Sequence, residues 1–192
     1  MIKAIVFDCF GVFYVDPVFA RMHDPHTSRE VASELHELDE KAAEGGLSKQ
    51  QFERSAGELL HETPEAAELE FFKAKGRDQA LIDFTQQLRT QYKVGLLSNI
   101  GVGMIDGFFS PIEREKLFDA VVLSGEVGYT KPDPEIFELI CDRLGVMPTE
   151  AVMIDDVEHN VVSAIQVGMH GIHYESITQL KAELAAILSS KD

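Results

Sequence analysis

Ala4-Ile5-Val6-Phe7-Asp8-Cys9-Phe10-Gly11-Val12, preceded by Ile2-Lys3, decides how the rest of the chain is read. Four apolar residues run without alternation into a carboxylate, and a glycine follows three positions later. Such a run suits a strand covered on both faces, as in a parallel sheet. Ligands of open α/β sheets bind at the carboxyl ends of the strands, which is where Asp8 would sit. Working outward, similar runs recur at 94–97, 120–123, 152–154 and 171–174. Helical patterns separate the later ones. Asp133-Pro134-Glu135 opens a helix with Pro near its first turn, Ile136, Leu139, Ile140 and Leu144 form its apolar stripe, and Gly145 closes it. A second runs from Glu158 to Val167 before Gly168, and a third from Ser176 to Leu188. Strands alternating with helices predict a doubly wound, parallel α/β sheet.

The first two strands break this rhythm. About 85 residues separate Asp8 from Lys93, where a βαβ unit needs only ~30. The excess carries its own helix starts. Thr27-Ser28-Arg29-Glu30 has capping-box form and opens a helix that Gly45-Gly46 ends. Ser48-Lys49-Gln50-Gln51 opens another in the same way, and Thr63-Pro64-Glu65 a third. A last helix, near Asp78 to Tyr92, leads into the second strand with Leu81, Phe84, Leu88 and Tyr92 on one face. The organisation expected is a core of 1–14 and 79–192 with a helical cap, 15–78, inserted over the first strand's carboxyl end. An insert there is placed to cover a site.

Lys plus Arg number 17 and Asp plus Glu 33, a net charge of -16. That field repels phosphate backbones and anionic lipid, which argues against nucleic-acid or membrane-surface partners. An anionic substrate would need local cations. Asp8 interrupts the N-terminal apolar run, so it reads as a strand and not as a signal peptide, and no stretch approaches the ~20 apolar residues of a membrane span. Cys9 and Cys141 form no metal or disulfide pattern, as expected of a chain in a reducing cytoplasm.

Polar clusters fall at four predicted strand ends: Asp8, Ser98-Asn99, Lys131-Pro132 and Asp155-Asp156. Their convergence is the main signal. An aspartate is ionised at neutral pH and can attack without a base, so Asp8 is a candidate nucleophile, though it could also cap a turn. Gly11 lets backbone approach a ligand closely. Paired acids at 155 and 156 suit Mg²⁺, while helix capping would account for one of them, Asp156. Lys131 can bind a substrate anion and hold an aspartate ionised, or be a surface lysine. Ser98 can donate to an anion, or end a strand in a turn.

On these motifs the sequence resembles the haloacid dehalogenase-like hydrolase superfamily. They stand as Val6-Phe7-Asp8-Cys9-Phe10-Gly11-Val12, Leu97-Ser98-Asn99, Gly125 to Pro134, and Ile154-Asp155-Asp156-Val157-Glu158-His159-Asn160. Glu44 to Phe52 resembles the cap of the subgroup that includes small sugar-phosphate phosphatases and the phosphatase domain of epoxide hydrolases. The resemblance implies a Rossmann-like core with sheet order 5-4-1-2-3 and a Mg²⁺-dependent phosphatase acting on a small phosphate ester. In it Asp8 would form an aspartyl-phosphate, Ser98 and the Asn99 amide would hold phosphate oxygens, and Lys131 would neutralise both phosphate and Asp8. Mg²⁺ would sit on Asp8, the Phe10 carbonyl and Asp156, with Asp155 acting through water and Asn160 supporting the loop.

Phe10 departs from the pattern, because most family phosphatases have there a second Asp that donates and accepts the proton. A positioned acid is worth roughly 10²–10⁴ in rate, or about 3–6 kcal/mol. Either another acid serves, such as Asp16 or a cap residue, or the leaving group needs no proton, or turnover is slow. Family dehalogenases also lack that Asp. They usually carry Tyr there and lack the paired acids that this chain keeps, so 2-haloacid dehalogenation is the alternative reading. A phosphate-binding or regulatory protein with little turnover is the third.

Overall fold

The computed structural model describes residues 1–72 and 76–189. Its centre is a five-stranded parallel sheet of β1 (Ala4–Phe7), β2 (Lys93–Ser98), β3 (Ala120–Leu123), β4 (Ala151–Asp155) and β5 (His170–His173). The strand order is β3-β2-β1-β4-β5, which is the expected order read from the other edge. β1 lies in the middle, with Phe7 level with Leu96 on one side and Ile154 on the other. All four of its residues are buried, because both faces are covered. Ala4 and Val6 point into one apolar layer with Ile136, Phe137 and Ile140, and Ile5 and Phe7 into the other with Leu81, Val94 and Ile172. Each buried Phe of these layers contributes roughly 1.5–3 kcal/mol.

Between β1 and β2 run α1 (Pro17–Met22), α2 (Arg29–Ala43), α3 (Lys49–Leu60), α4 (Pro64–Phe71) and α5 (Gln79–Leu88). Three positions of the expected insert, 73–75, lie outside the described residues. The cap of α2 falls one residue later than expected. Ser28 accepts from the Val31 N–H, while the Thr27 hydroxyl turns away to the Arg21 carbonyl. Ser48 and Gln51 form the expected reciprocal box, and Thr63 caps α4 with Pro64 behind it. α5 ends at Leu88, short of Tyr92. α1 is an element beyond those expected, and Asp16-Pro17 supplies its cap and first-turn proline.

After β2 come a 3₁₀ turn, Met104–Gly107, and α6 (Pro111–Leu117), also not anticipated, with Ser110 and Glu113 capping each other. α7 (Ser124–Val127) follows β3, and α8 (Pro134–Leu144) ends at Gly145 in a left-handed turn as expected. A second 3₁₀ turn, Pro148–Glu150, leads into β4, and α9 (Glu158–Gln166) and α10 (Ile177–Ser189) complete the described chain. No helix of the described residues is long and apolar enough to cross a membrane.

Candidate active site

The residues singled out from the sequence meet at the carboxyl ends of β1, β2 and β4. Asp8 follows β1 and is buried, and its Oδ1 accepts from the Cys9 N–H at 2.6 Å and from Lys131 Nζ at 2.8 Å. The same ammonium donates to Asp155 Oδ2 at 2.7 Å. One buried cation therefore serves two buried carboxylates from strands far apart in sequence. Burial raises the Asp8 carboxyl, Lys131 opposes the rise, and the charge of Asp155 adds to it. Burial works against the Lys131 charge as well, but Asp155 and Asp8 outweigh it and hold the ammonium above its ordinary value. Among the described residues Asp8 Oδ2 has no hydrogen-bond partner.

Asp155 and Asp156 divide the work. Successive residues leave a strand on opposite sides. Asp155 is wholly buried, and besides Lys131 it accepts from the Val157 N–H at 2.9 Å and from Asn160 Nδ2 at 3.1 and 3.2 Å. It thus ties the start of α9, so the capping expected of Asp156 falls to Asp155. Asp156 is half-buried and faces a cavity, and His173 Nε2 lies 2.8 Å from its backbone oxygen. Burial raises its carboxyl, and the neighbouring Asp155 charge raises it further.

Lys131 is aimed by Asn99. The Asn99 side chain accepts from the Lys131 N–H at 2.8 Å and donates to the Lys131 carbonyl at 2.9 Å, so β2 clamps the loop after α7. Ser98 is fully buried and its Oγ has no hydrogen-bond partner among the described residues. An unpaired buried hydroxyl costs about 1–3 kcal/mol unless a ligand completes it. Cys9 is buried beside Asp8, and burial, then the Asp8 charge, push its thiol well up.

Above these groups is a cavity of about 430 Å³ lined by Asp8, Lys131, Asp156 and Phe10 below, and by Val15, Asp16, Phe19 and Asp39 from the insert side. Asp39 was not anticipated. It is half-buried, makes no hydrogen bond or ion pair among the described residues, and is pushed up to about 7 by burial and then by the charges of Asp16 and Glu40. Asp16 accepts from the Val18 and Phe19 N–H groups at 2.9 Å, and burial raises its carboxyl against those bonds. Phe10 packs edge-on against Phe108 with centroids 4.8 Å apart and has no proton to give. A larger groove, about 640 Å³, lies at the opposite ends of the strands, but its charged groups are tied in pairs such as Lys3–Glu150 and Arg89–Asp119.

The donor set fits a hard divalent ion. Carboxylate oxygens of Asp8, Asp155 and Asp156 lie within 4.8 Å of one another. Gly11, at φ +73°, keeps the space beside them clear, since a Cβ there would lie 1.9 Å from Asp156 Oδ2. Of the three acids, Asp155 is the one whose two oxygens are both engaged by the protein.

The fold is that of a parallel α/β protein which gathers a carboxylate, a lysine and paired acids beyond its strand ends. The model of the haloacid dehalogenase-like hydrolases matches residues 2–168, and the chain belongs to that family. It is 31% identical to D-ribitol-5-phosphate phosphatase of Bacteroides thetaiotaomicron over 99% of this chain and 100% of that protein. It is 33% identical to a phosphorylated carbohydrates phosphatase of Thermotoga maritima, over 69% of this chain and 56% of that one. Among solved structures, a haloacid dehalogenase family enzyme of B. thetaiotaomicron in complex with magnesium and inorganic phosphate superposes with a TM-score of 0.74 at 22% identity, covering 94% of this chain and 99% of that one. L-2-haloacid dehalogenase of Xanthobacter autotrophicus superposes with a TM-score of 0.66 at 18% identity, over 100% of this chain and 85% of that one. At such identities the likeness concerns the fold, which phosphatases and dehalogenases share.

Proposed function

We propose that the chain is a Mg²⁺-dependent phosphatase of a small phosphorylated metabolite that works through an aspartyl-phosphate on Asp8. The observation that carries this reading is Lys131 bonded at once to Asp8 and Asp155 beneath a cavity that Asp156 also lines. In this reading the 15–78 insert is the cap over a core of 1–14 and 79–192. Asp8 attacks phosphorus, a P–O bond forms to its carboxylate, and the ester P–O bond breaks with its electron pair on the leaving oxygen. Water then attacks phosphorus, which returns the carboxylate and releases inorganic phosphate. Lys131 offsets negative charge on Asp8 and phosphate, and the Ser98 hydroxyl and Asn99 amide hold phosphate oxygens. Asp8, Asp156 and the Phe10 carbonyl would hold Mg²⁺, with Asp155 behind a water. When bound, the ion supplies positive charge for the transferring phosphoryl group.

Phe10 leaves the proton for the leaving oxygen to another source. Either the leaving group departs as a stable anion, or Asp16 or Asp39 on the cavity wall supplies the proton. Phosphate release across a panel of small monoesters and acyl or anomeric phosphates, with Mg²⁺ and with EDTA, tests the reading. Metal-dependent release on at least one member is the expected result. Halide release from a 2-haloacid that EDTA leaves intact would support the dehalogenase reading, which Phe10 alone favours. Metal-dependent phosphate binding with no release from any member would support a binding protein.

A further inference from the structure

The insert leaves the core near Val15 and returns at Asp78, whose N–H donates to the Phe13 carbonyl at 2.9 Å. A unit held at that one place could swing about it. Here the far end of the insert is fastened to the core again, 30 residues or so along the chain. Ser124, fully buried, donates from Oγ to the Ala43 carbonyl at the end of α2 at 2.6 Å, and accepts from the Ile100 N–H at 3.0 Å. Beside it backbone meets backbone. A Cβ on Gly45 would lie 2.7 Å from the Gly125 carbonyl oxygen, and one on Gly125 would lie 3.1 Å from the Ala42 carbonyl oxygen. Ser48 and Val102 pair in a single parallel bridge. A third contact closes the other side, where a Cβ on Gly107 would lie 2.0 Å from the Phe72 carbonyl oxygen.

The apolar interior is continuous across these joins. Leu35, Ala42, Phe52 and Phe71 of the insert share one buried cluster with Ile5, Phe7 and Leu96 of the sheet. Swinging the insert away would break the buried Ser124–Ala43 hydrogen bond, worth about 0.5–1.5 kcal/mol net, part the Ser48–Val102 bridge, and expose part of that cluster. The fastening falls on Ile100 and Ser124, directly after Ser98-Asn99 and β3, so it also braces the loop that bears two site residues.

We infer that the insert is a fixed wall of the site and not a swinging lid, so that substrate and product pass through a mouth edged by the exposed side chains of Val15, Phe19 and Val157. The decisive measurement needs no activity. Spin labels at two exposed positions, one on the insert (Arg54→Cys) and one on the core (Glu138→Cys), report the distance between them, the native cysteines both being buried. One narrow distance distribution, the same in EDTA, in Mg²⁺ and in Mg²⁺ with inorganic phosphate, is expected. A second population, or a shift of several ångström between conditions, overturns the inference. The turnover arm uses Ser48→Cys with Val102→Cys, which the bridge places in reach of a disulfide. Oxidised and reduced forms should release phosphate at rates within twofold. A tenfold loss on oxidation, restored by reductant, or failure of the pair to cross-link, overturns it as well. Should the reduced protein release no phosphate, the phosphatase reading falls and the distance measurement still decides this one.

Discussion

The floor and the wall of the cavity are built differently. On the floor Lys131 holds Asp8 and Asp155, Asn160 and the Val157 N–H complete Asp155, and Asn99 grips the Lys131 backbone from both sides, while Asp156 faces the cavity. On the wall, Asp39 has no hydrogen-bond or ion-pair partner among the described residues and lies near Asp16 and Glu40, with the exposed ring of Phe19 and methyls of Val15 beside them. The floor is fixed before anything binds, as transition-state stabilisation requires. In the phosphatase reading, the wall is left to be completed by the part of the substrate that differs between one ester and another.

Four substitutions sharpen or break this contrast. On the floor, Asp8→Asn should lower phosphate release by about 10⁴-fold or more, the scale of a lost nucleophile, with the thermal melt retained. Residual turnover within tenfold of wild type would remove Asp8 from the chemistry. Lys131→Met leaves two buried carboxylates without their cation, and loss of one partner of a buried pair costs about 3–5 kcal/mol. Urea unfolding should record that loss, and Lys131→Met with Asp155→Asn should recover part of it. Gly11→Ala places a methyl against Asp156 and forces a left-handed residue, at about 1–2 kcal/mol. Its Mg²⁺ requirement for phosphate release should rise several-fold, with a near-normal rate at saturating metal.

The smallest effect belongs to the wall. The Asp39 carboxyl is raised in the fold, to about 7, from an unfolded value near ~3.9. Its contribution to stability is therefore present below about pH 4 and is lost as the pH rises through about 7. Asp39→Asn should raise the denaturation midpoint at pH 8 and change it little at pH 4. An equal change at both pH values would mean that the wall carboxylate is not strained by its neighbours.

The same contrast explains what could be read from the sequence. The floor was legible because its carboxylates end apolar runs and Lys131 follows the third run closely, and strand ends in a parallel sheet converge whatever lies between them. Adjacent residues on a strand diverge, so the split between buried Asp155 and cavity-facing Asp156 was in principle available from alternation, yet both also fit a helix start. The wall was not legible. Asp39 lies in Glu37-Leu38-Asp39-Glu40-Lys41, a charged stretch like many solvated helix surfaces, and what brings it to the cavity is the packing of α2 on α1. The joins that fasten the insert were equally silent, since Gly45 reads as a helix stop and Gly125 as the start of a motif until backbone is seen to touch backbone. α1 and α6 did carry signals, Asp16-Pro17 and Ser110-Pro111 with Glu113, but each was too short for an apolar period to show.

Acid-quenched mass spectrometry of the Asp8 peptide during turnover tests the account most directly. A phosphoryl group on Asp8 that appears with substrate and Mg²⁺, and is absent in EDTA and in Asp8→Asn, is the predicted result. Steady release of phosphate with Asp8 never modified, or with the phosphoryl group carried by another residue, would contradict it.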